Sequence, residues 1–104
     1  MSEVIREEHK DNFSIISNSH LKDKHLSLKA KGLLTMMLSL PPTWKYNVTG
    51  LSFYCRDGVD SVRSALNELQ DNGYLTRERE RLPNGRYGEN NYVIREKPME
   101  DQVE

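Results

Sequence analysis

The chain is poor in the residues that cross-link small proteins and in the runs that cross membranes. It has one cysteine, Cys55, in 104 residues, so no internal disulfide can form and a reducing, cytoplasmic setting is expected. No stretch is long or apolar enough to span a bilayer, and no charged-then-apolar segment opens the sequence as a secretory signal. The three histidines, His9, His20 and His25, show no metal-ligand spacing and have no cysteine pair to join them. A P-loop, a dinucleotide fingerprint and a nucleophile elbow are all missing. No catalytic residue, metal, other cofactor or small-molecule substrate is therefore expected, and the chain reads as a non-enzyme. An excess of charge of either sign is missing as well. The formal net charge is −1, which argues against a strongly basic nucleic-acid binder.

What is present is enough for one domain with tails, since 36% hydrophobic residues can fill one modest core. The near-zero net charge hides an asymmetry. Residues 12–95 carry 12 Lys/Arg against 8 Asp/Glu, a balance of +4, whereas the flanks carry 3 against 8, a balance of −5. The expected organisation is a polar arm at 1–11, a mildly basic globular unit at 12–95 and an acidic tail at 96–104. A mildly basic unit permits phosphate binding.

The most informative stretch is 57–74. Val59, Val62, Leu66 and Leu69 recur at helical spacing on one apolar stripe. Asp57 or Asp60 can accept hydrogen bonds from the first-turn amides, and Asn72-Gly73 supplies a left-handed stop. The opposite face presents Ser61, Ser64, Asn67 and Glu68, with Arg63 on its flank. Short polar side chains of this kind can reach base edges in a major groove.

Upstream, Asn12 to Ser17 holds β-favouring residues and predicts a short N-terminal strand, and Asn18 to Lys24 has room for a single helical turn. Ser27 caps a first helix whose Ala30, Leu33, Leu34, Met37 and Leu38 share a face, with Met36-Met37 as core filler. Pro41-Pro42 ends it. Trp44 is expected to plug the junction between the first and second helices, its other possible use being to stack on a base. Asn47 or Thr49 caps a short second helix through Val48, Leu51 and Cys55, and Arg56-Asp57-Gly58 makes the turn into 57–72. Two helices joined by a short glycine-containing turn form a helix-turn-helix, whose second helix presents its N-terminal half to DNA.

After Tyr74 the period changes to two. Leu75 to Leu82 alternates strictly and places Arg77, Arg79 and Arg81 on one side of a strand, with Glu78 and Glu80 on the other. Pro83-Asn84-Gly85-Arg86 is a hairpin turn, and Tyr87 to Arg95 returns with Tyr92 and Ile94 towards the core. A hairpin directly after a recognition helix is a wing. The expected fold is thus α+β: a winged helix-turn-helix with a three-helix core, a C-terminal hairpin and a short N-terminal strand.

Two blocks carry a family resemblance. One is Leu26-Ser27-Leu28-Lys29-Ala30-Lys31-Gly32-Leu33-Leu34, followed by Leu38-Ser39-Leu40-Pro41 and Trp44. The other is Asp57 to Leu69 running into Gly73-Tyr74-Leu75. Together they resemble the winged helix-turn-helix domain of phage and mobile-element replication proteins, a family that includes the N-terminal domains of replisome organisers and DnaD-like initiators. The resemblance covers residues 12–95 and implies that 57–72 is the recognition helix and 82–87 the wing tip. Family domains bind DNA, self-associate, or do both. Family replication proteins also carry a further C-terminal domain, and residues 96–104 do not resemble one.

The leading expectation is a binder of double-stranded DNA in replication initiation or transcriptional regulation of a phage or mobile element. Ser61, Arg63, Ser64 and Asn67 would face the bases, while Lys45, Arg56, Asn84, Arg86 and Arg79 would meet phosphates or form the wing contact. The alternative is an interaction or self-association module within a replication complex. It draws on the weak charge and on Asp57, Asp60 and Glu68 near the presumed DNA face, where carboxylates repel phosphate.

Overall fold

The computed structural model describes residues 12–41 and 43–99. The element order is α1 (Leu28–Ser39), α2 (Val48–Ser52), α3 (Val59–Asp71), β1 (Leu75–Arg81) and β2 (Tyr87–Ile94). Three helices followed by an antiparallel hairpin form a small α+β layout consistent with a winged-helix arrangement. The arm 1–11, Pro42 and residues 100–104 lie outside the described part.

Each helix has its ends set by local chemistry. At α1, the Ser27 side chain accepts from the Ala30 amide at 3.1 Å, satisfying one of the unpaired first-turn donors. Ala30, Leu33, Leu34 and Met37 form the buried stripe. At the other end Leu40 turns extended, with ψ 153°, as a residue before proline must. The Tyr46 hydroxyl donates to the Met37 carbonyl at 2.7 Å, occupying an acceptor near the helix end. At α2 the cap is Asn47, whose Oδ1 accepts from the Gly50 amide at 2.6 Å. The helix is only five residues long and ends at Ser52, so Cys55 falls in the following turn rather than on the helix. Trp44 packs on α2 as its place in the sequence suggests. A Cβ at Gly50 would lie 3.2 Å from the indole and 3.1 Å from Asn47 Oδ1, so any larger residue would have to push these side chains aside.

Helix α3 departs from expectation at its N-terminus. Gly58 is the N-cap and makes no side-chain bond. Asp57 instead accepts from Ser61 Oγ at 3.2 Å, and Asp60 from Arg63 at 3.1 Å. The buried stripe is Val62, Ala65, Leu66 and Leu69, while Val59 stays 37% exposed. The packed spacing therefore starts one turn later than the Val59 stripe, with Ala65 as an inner position. At the C-terminus, Gly73 has φ +85°. Tyr74 N donates to Leu69 O at 2.9 Å and Gly73 N to Gln70 O at 3.2 Å, a Schellman termination.

The hairpin starts immediately. Leu75 pairs with Ile94, Thr76 with Val93 and Arg77 with Tyr92, so Leu75, Ile94, Tyr92 and Arg77 share the face turned to the helices. A register shift between Arg79 and Arg81 ends the strict alternation read from the sequence. At the tip Leu82 N donates to Arg86 O at 2.8 Å, Gly85 N to Leu82 O at 3.0 Å, and Gly85 takes φ +81°, a three-residue loop with glycine at the left-handed position. After β2 the chain does not leave the domain at Glu96. Arg95 N bonds Tyr74 O at 2.9 Å and Met99 N bonds Gly73 O at 2.8 Å, so residues 95–99 fold back over the α3–β1 turn.

The expected N-terminal strand is absent: among the described residues the sheet has two strands, β1 and β2. Asn12 has φ +51°, which breaks an extended run, and Phe13 and Ile15 are 52% and 91% exposed, so pairing here would bury little. The next residues do the closing instead. Lys22 N bonds Asn18 O at 3.0 Å in the expected single turn, and that turn delivers His20 into the interior, fully buried. His20 Nε2 lies 2.8 Å from Thr35 Oγ1, which donates to Lys31 O at 2.8 Å. The Thr35 oxygen therefore accepts, and His20 carries its proton on Nε2. Nearby, the Tyr74 hydroxyl donates to Asp23 at 2.7 Å. That bond holds the Asp23 carboxyl below its ordinary pKa, while burial and the same carboxylate push the Tyr74 phenol up.

Candidate nucleic-acid interface

Helix α2, the turn 53–58 and α3 are consecutive in a layout consistent with a helix-turn-helix, and the hairpin follows α3 after a three-residue turn. The α2 backbone tightens into the turn through Tyr54 N to Leu51 O and Cys55 N to Ser52 O, both 3.1 Å. Cys55 is half-buried. Burial, and secondarily Asp57, push its thiol pKa up, which makes it a poor nucleophile at neutral pH.

The outer face of α3 carries a shallow depression of about 430 Å³ lined by Asp60, Arg63, Ser64, Asn67, Glu68 and Asp71. It brings together three of the four residues expected to face bases. Ser61 is not among them, since it lies round the helix in a separate groove beside α1. Several of these polar groups have intramolecular partners. Arg63 pairs with Asp60 at 3.1 Å in an exposed i,i+3 ion pair, an interaction weak enough to be exchanged for a phosphate. Asn67 Oδ1 accepts from Arg77 at 2.6 Å, and Gln70 Oε1 from Arg77 Nε at 3.1 Å. Arg77 therefore ties the hairpin to α3. This follows from its position two residues beyond buried Leu75 on the same face.

Glu68 has a structural task that the local sequence conceals. Its carboxylate accepts from Ser27 N at 2.5 Å and from Ser27 Oγ at 2.8 Å. In a capping box, the acidic residue that accepts from the N-cap amide sits three positions into the same helix. Here that position is Ala30, and α3 supplies the carboxylate from 41 residues away. The bond joins α3 to the start of α1 and gives a structural role to one of the acids near the presumed DNA face.

The remaining expected contacts are peripheral and exposed: Lys45 before α2, Arg56 in the turn, Arg79 on β1, and Asn84 and Arg86 at the hairpin tip. Asn84 Oδ1 accepts from the Arg86 amide at 3.0 Å, so Asn84 also shapes the tip. A charge feature that motif spacing does not reveal surrounds Lys45 and Arg56. Residues 24–56 contain no aspartate or glutamate, and hold Lys24, Lys29, Lys31, Lys45 and Arg56.

A second surface feature is a groove of about 510 Å³ between α1 and α3, with Leu28, Gly32, Met36, Val62 and Ala65 as its apolar lining and Lys29 and Asp57 among its polar residues. Leu28 is 86% exposed. The signal for it was present in Leu28, Gly32 and Met36, spaced i, i+4, i+8 beside the core stripe. Among the described residues no three His, Cys, Asp or Glu side chains converge on a metal-sized site, and no helix is long and apolar enough to cross a membrane. Comparison of the chain with protein families, characterised proteins and solved structures finds no match.

Proposed function

We propose that the protein is a non-enzymatic DNA-binding domain that meets duplex DNA with the outer face of α3 and the hairpin. The observation that carries this most is the coupling of those two elements. Arg77 bonds Asn67 and Gln70 on α3, so helix and hairpin are held as one unit of the kind that inserts a helix in a groove and flanks it with a wing. Arg63 and Ser64 on α3 and Arg86 at the hairpin tip are the contacts proposed, with Lys45 and Arg56 on phosphates. Ser61 is a weaker candidate for base contact, because it lines the α1–α3 groove beside Asp57. A role in replication initiation or transcriptional regulation of a phage or mobile element rests on the resemblance described above.

The test is fluorescence anisotropy with labelled duplex of mixed sequence at about 50 and about 200 mM salt. Neutralising several phosphates predicts an affinity falling at least tenfold between the two. A folded protein that shows no binding at the lower salt contradicts the proposal. The second reading, a protein-interaction module, is favoured by the apolar α1–α3 groove and by Asp60 and Asp71 on the outer face of α3. Salt-insensitive self-association with no DNA binding would favour it.

A further inference from the structure

The end of α2 carries two aromatic side chains that the fold leaves in water. Phe53 is 85% exposed and Tyr54, its neighbour, 58%. Their backbone is held in place: Phe53 N bonds Thr49 O and Gly50 O, each at 3.3 Å, and Tyr54 N bonds Leu51 O at 3.1 Å. The Tyr54 ring stands edge-on to Trp44 with centroids 6.1 Å apart at 66°. Trp44 meets Tyr46 at 5.3 Å, and Tyr46 meets Tyr92 at 5.7 Å. Tyr54 is therefore the outer end of an aromatic chain anchored on β2, and Phe53 stands beside it without burial.

Two adjacent aromatic rings in water forgo the favourable free energy of burial, as surfaces that meet a partner do. The charge around the pair selects the partner. Lys45 follows Trp44 and Arg56 lies two residues past Tyr54. Both are exposed, and no carboxylate occurs anywhere in residues 24–56. Asp57 follows Arg56 directly, but aromatic faces combined with exposed cations suit a strand that is itself an anion and offers unpaired π-faces.

We infer that Phe53 and Tyr54 form a stacking site for unpaired nucleobases, with Lys45 and Arg56 taking the adjoining phosphates of a single strand. The site uses the end of α2 rather than the outer face of α3. It shares Lys45 and Arg56 with the proposed duplex contact, and the aromatic pair is what tells the two apart.

The test titrates the full chain with a labelled single-stranded DNA oligonucleotide of about 15 nucleotides and, separately, with its blunt duplex. Anisotropy and Trp44 emission are both followed. Binding of the single strand is expected to change Trp44 emission, because Tyr54 lies against the indole. The double variant Phe53→Ala/Tyr54→Ala is expected to weaken single-strand binding by roughly fivefold to a hundredfold and to leave duplex affinity within about twofold. Phe53→Ala alone, which removes a ring that stands in water, is expected to weaken single-strand binding severalfold with an unchanged melting temperature. Phe53→Tyr/Tyr54→Phe keeps both rings and is expected to bind as the parent does. Failure of the parent chain to bind the single strand, or equal binding by the parent and alanine variants, overturns the inference. Loss of duplex binding alone leaves the stacking site standing and contradicts instead the function proposed for α3 and the hairpin.

Discussion

The two faces of α3 are constrained in different ways. Inward, Val62, Ala65, Leu66 and Leu69 are buried, and nothing but apolar side chains of suitable volume can stand there. Outward, Asp60, Arg63, Asn67 and Glu68 are polar, and each bonds to a nearby part of the chain, be it Ser27 on the cap of α1, Arg77 on β1 or a neighbour one turn away. A polar helix face is therefore not one uniform recognition surface. Glu68 and Asn67 are engaged in the fold, and Ser64 with Arg63 is the part proposed to meet DNA.

The largest expected effect is on the inner face. Leu66→Ala leaves a cavity in a fully buried position and is expected to cost about 2–5 kcal/mol, a large share of the stability of a domain this size. Chemical denaturation measures it, and a loss below about 1 kcal/mol would mean that the core around α3 closes differently. Next is Glu68→Ala, which removes both acceptors of Ser27. Loss of a cap interaction predicts about 1 kcal/mol and a melting temperature lower by several degrees. Duplex affinity is expected to hold or rise, since a carboxylate has left the face. An unchanged melting temperature with weakened DNA binding would return Glu68 to the recognition surface.

A third test concerns pH. Burial is the main influence on His20 and lowers its pKa below the ordinary value, Glu96 opposing and Lys31 reinforcing the shift. Its Nδ1 is buried with no partner, so the fold favours the neutral ring. The unfolded chain then binds more protons than the native state once pH falls below about 6.5. Stability is expected to be held above that pH and to decline below it as pH drops towards the folded-state value. His20→Gln is expected to flatten the decline, as read from denaturation midpoints between about pH 5 and 7.5. A slope identical in parent and variant would place the sensitivity elsewhere. Asp23, whose pKa is lowered by Tyr74, acts at more acidic pH, so the two contributions separate.

Much of the fold was legible because its signals are local. Ser27 and Pro41 bracket α1, Gly73 ends α3 and Gly85 turns the hairpin, each through backbone chemistry confined to a few residues. The 12–17 segment misled because β-favouring residues describe a capacity for pairing, whereas pairing needs a face to bury, and Phe13 and Ile15 stay mostly in water. The packed stripe begins at Val62 rather than at Val59, because periodicity gives the direction of a face and not where its packing begins. Least legible was the division of labour on the outer face of α3. Ser27–Glu68 and Asn67–Arg77 bring together residues that no short window contains, and only the packed helices place them in reach. Ser61 and Ser64, three apart, look equivalent on a helix diagram, but only Ser64 lies in the depression on the outer face.

The central claim is that this outer face meets duplex DNA, and the most direct measurement is the duplex affinity of Ser64→Glu beside that of the parent chain at about 50 mM salt. The side chain is exposed, so the substitution is expected to leave the melting temperature within a degree or two, while a carboxylate set against phosphate abolishes binding. Parent-like affinity in a folded Ser64→Glu protein would contradict the claim.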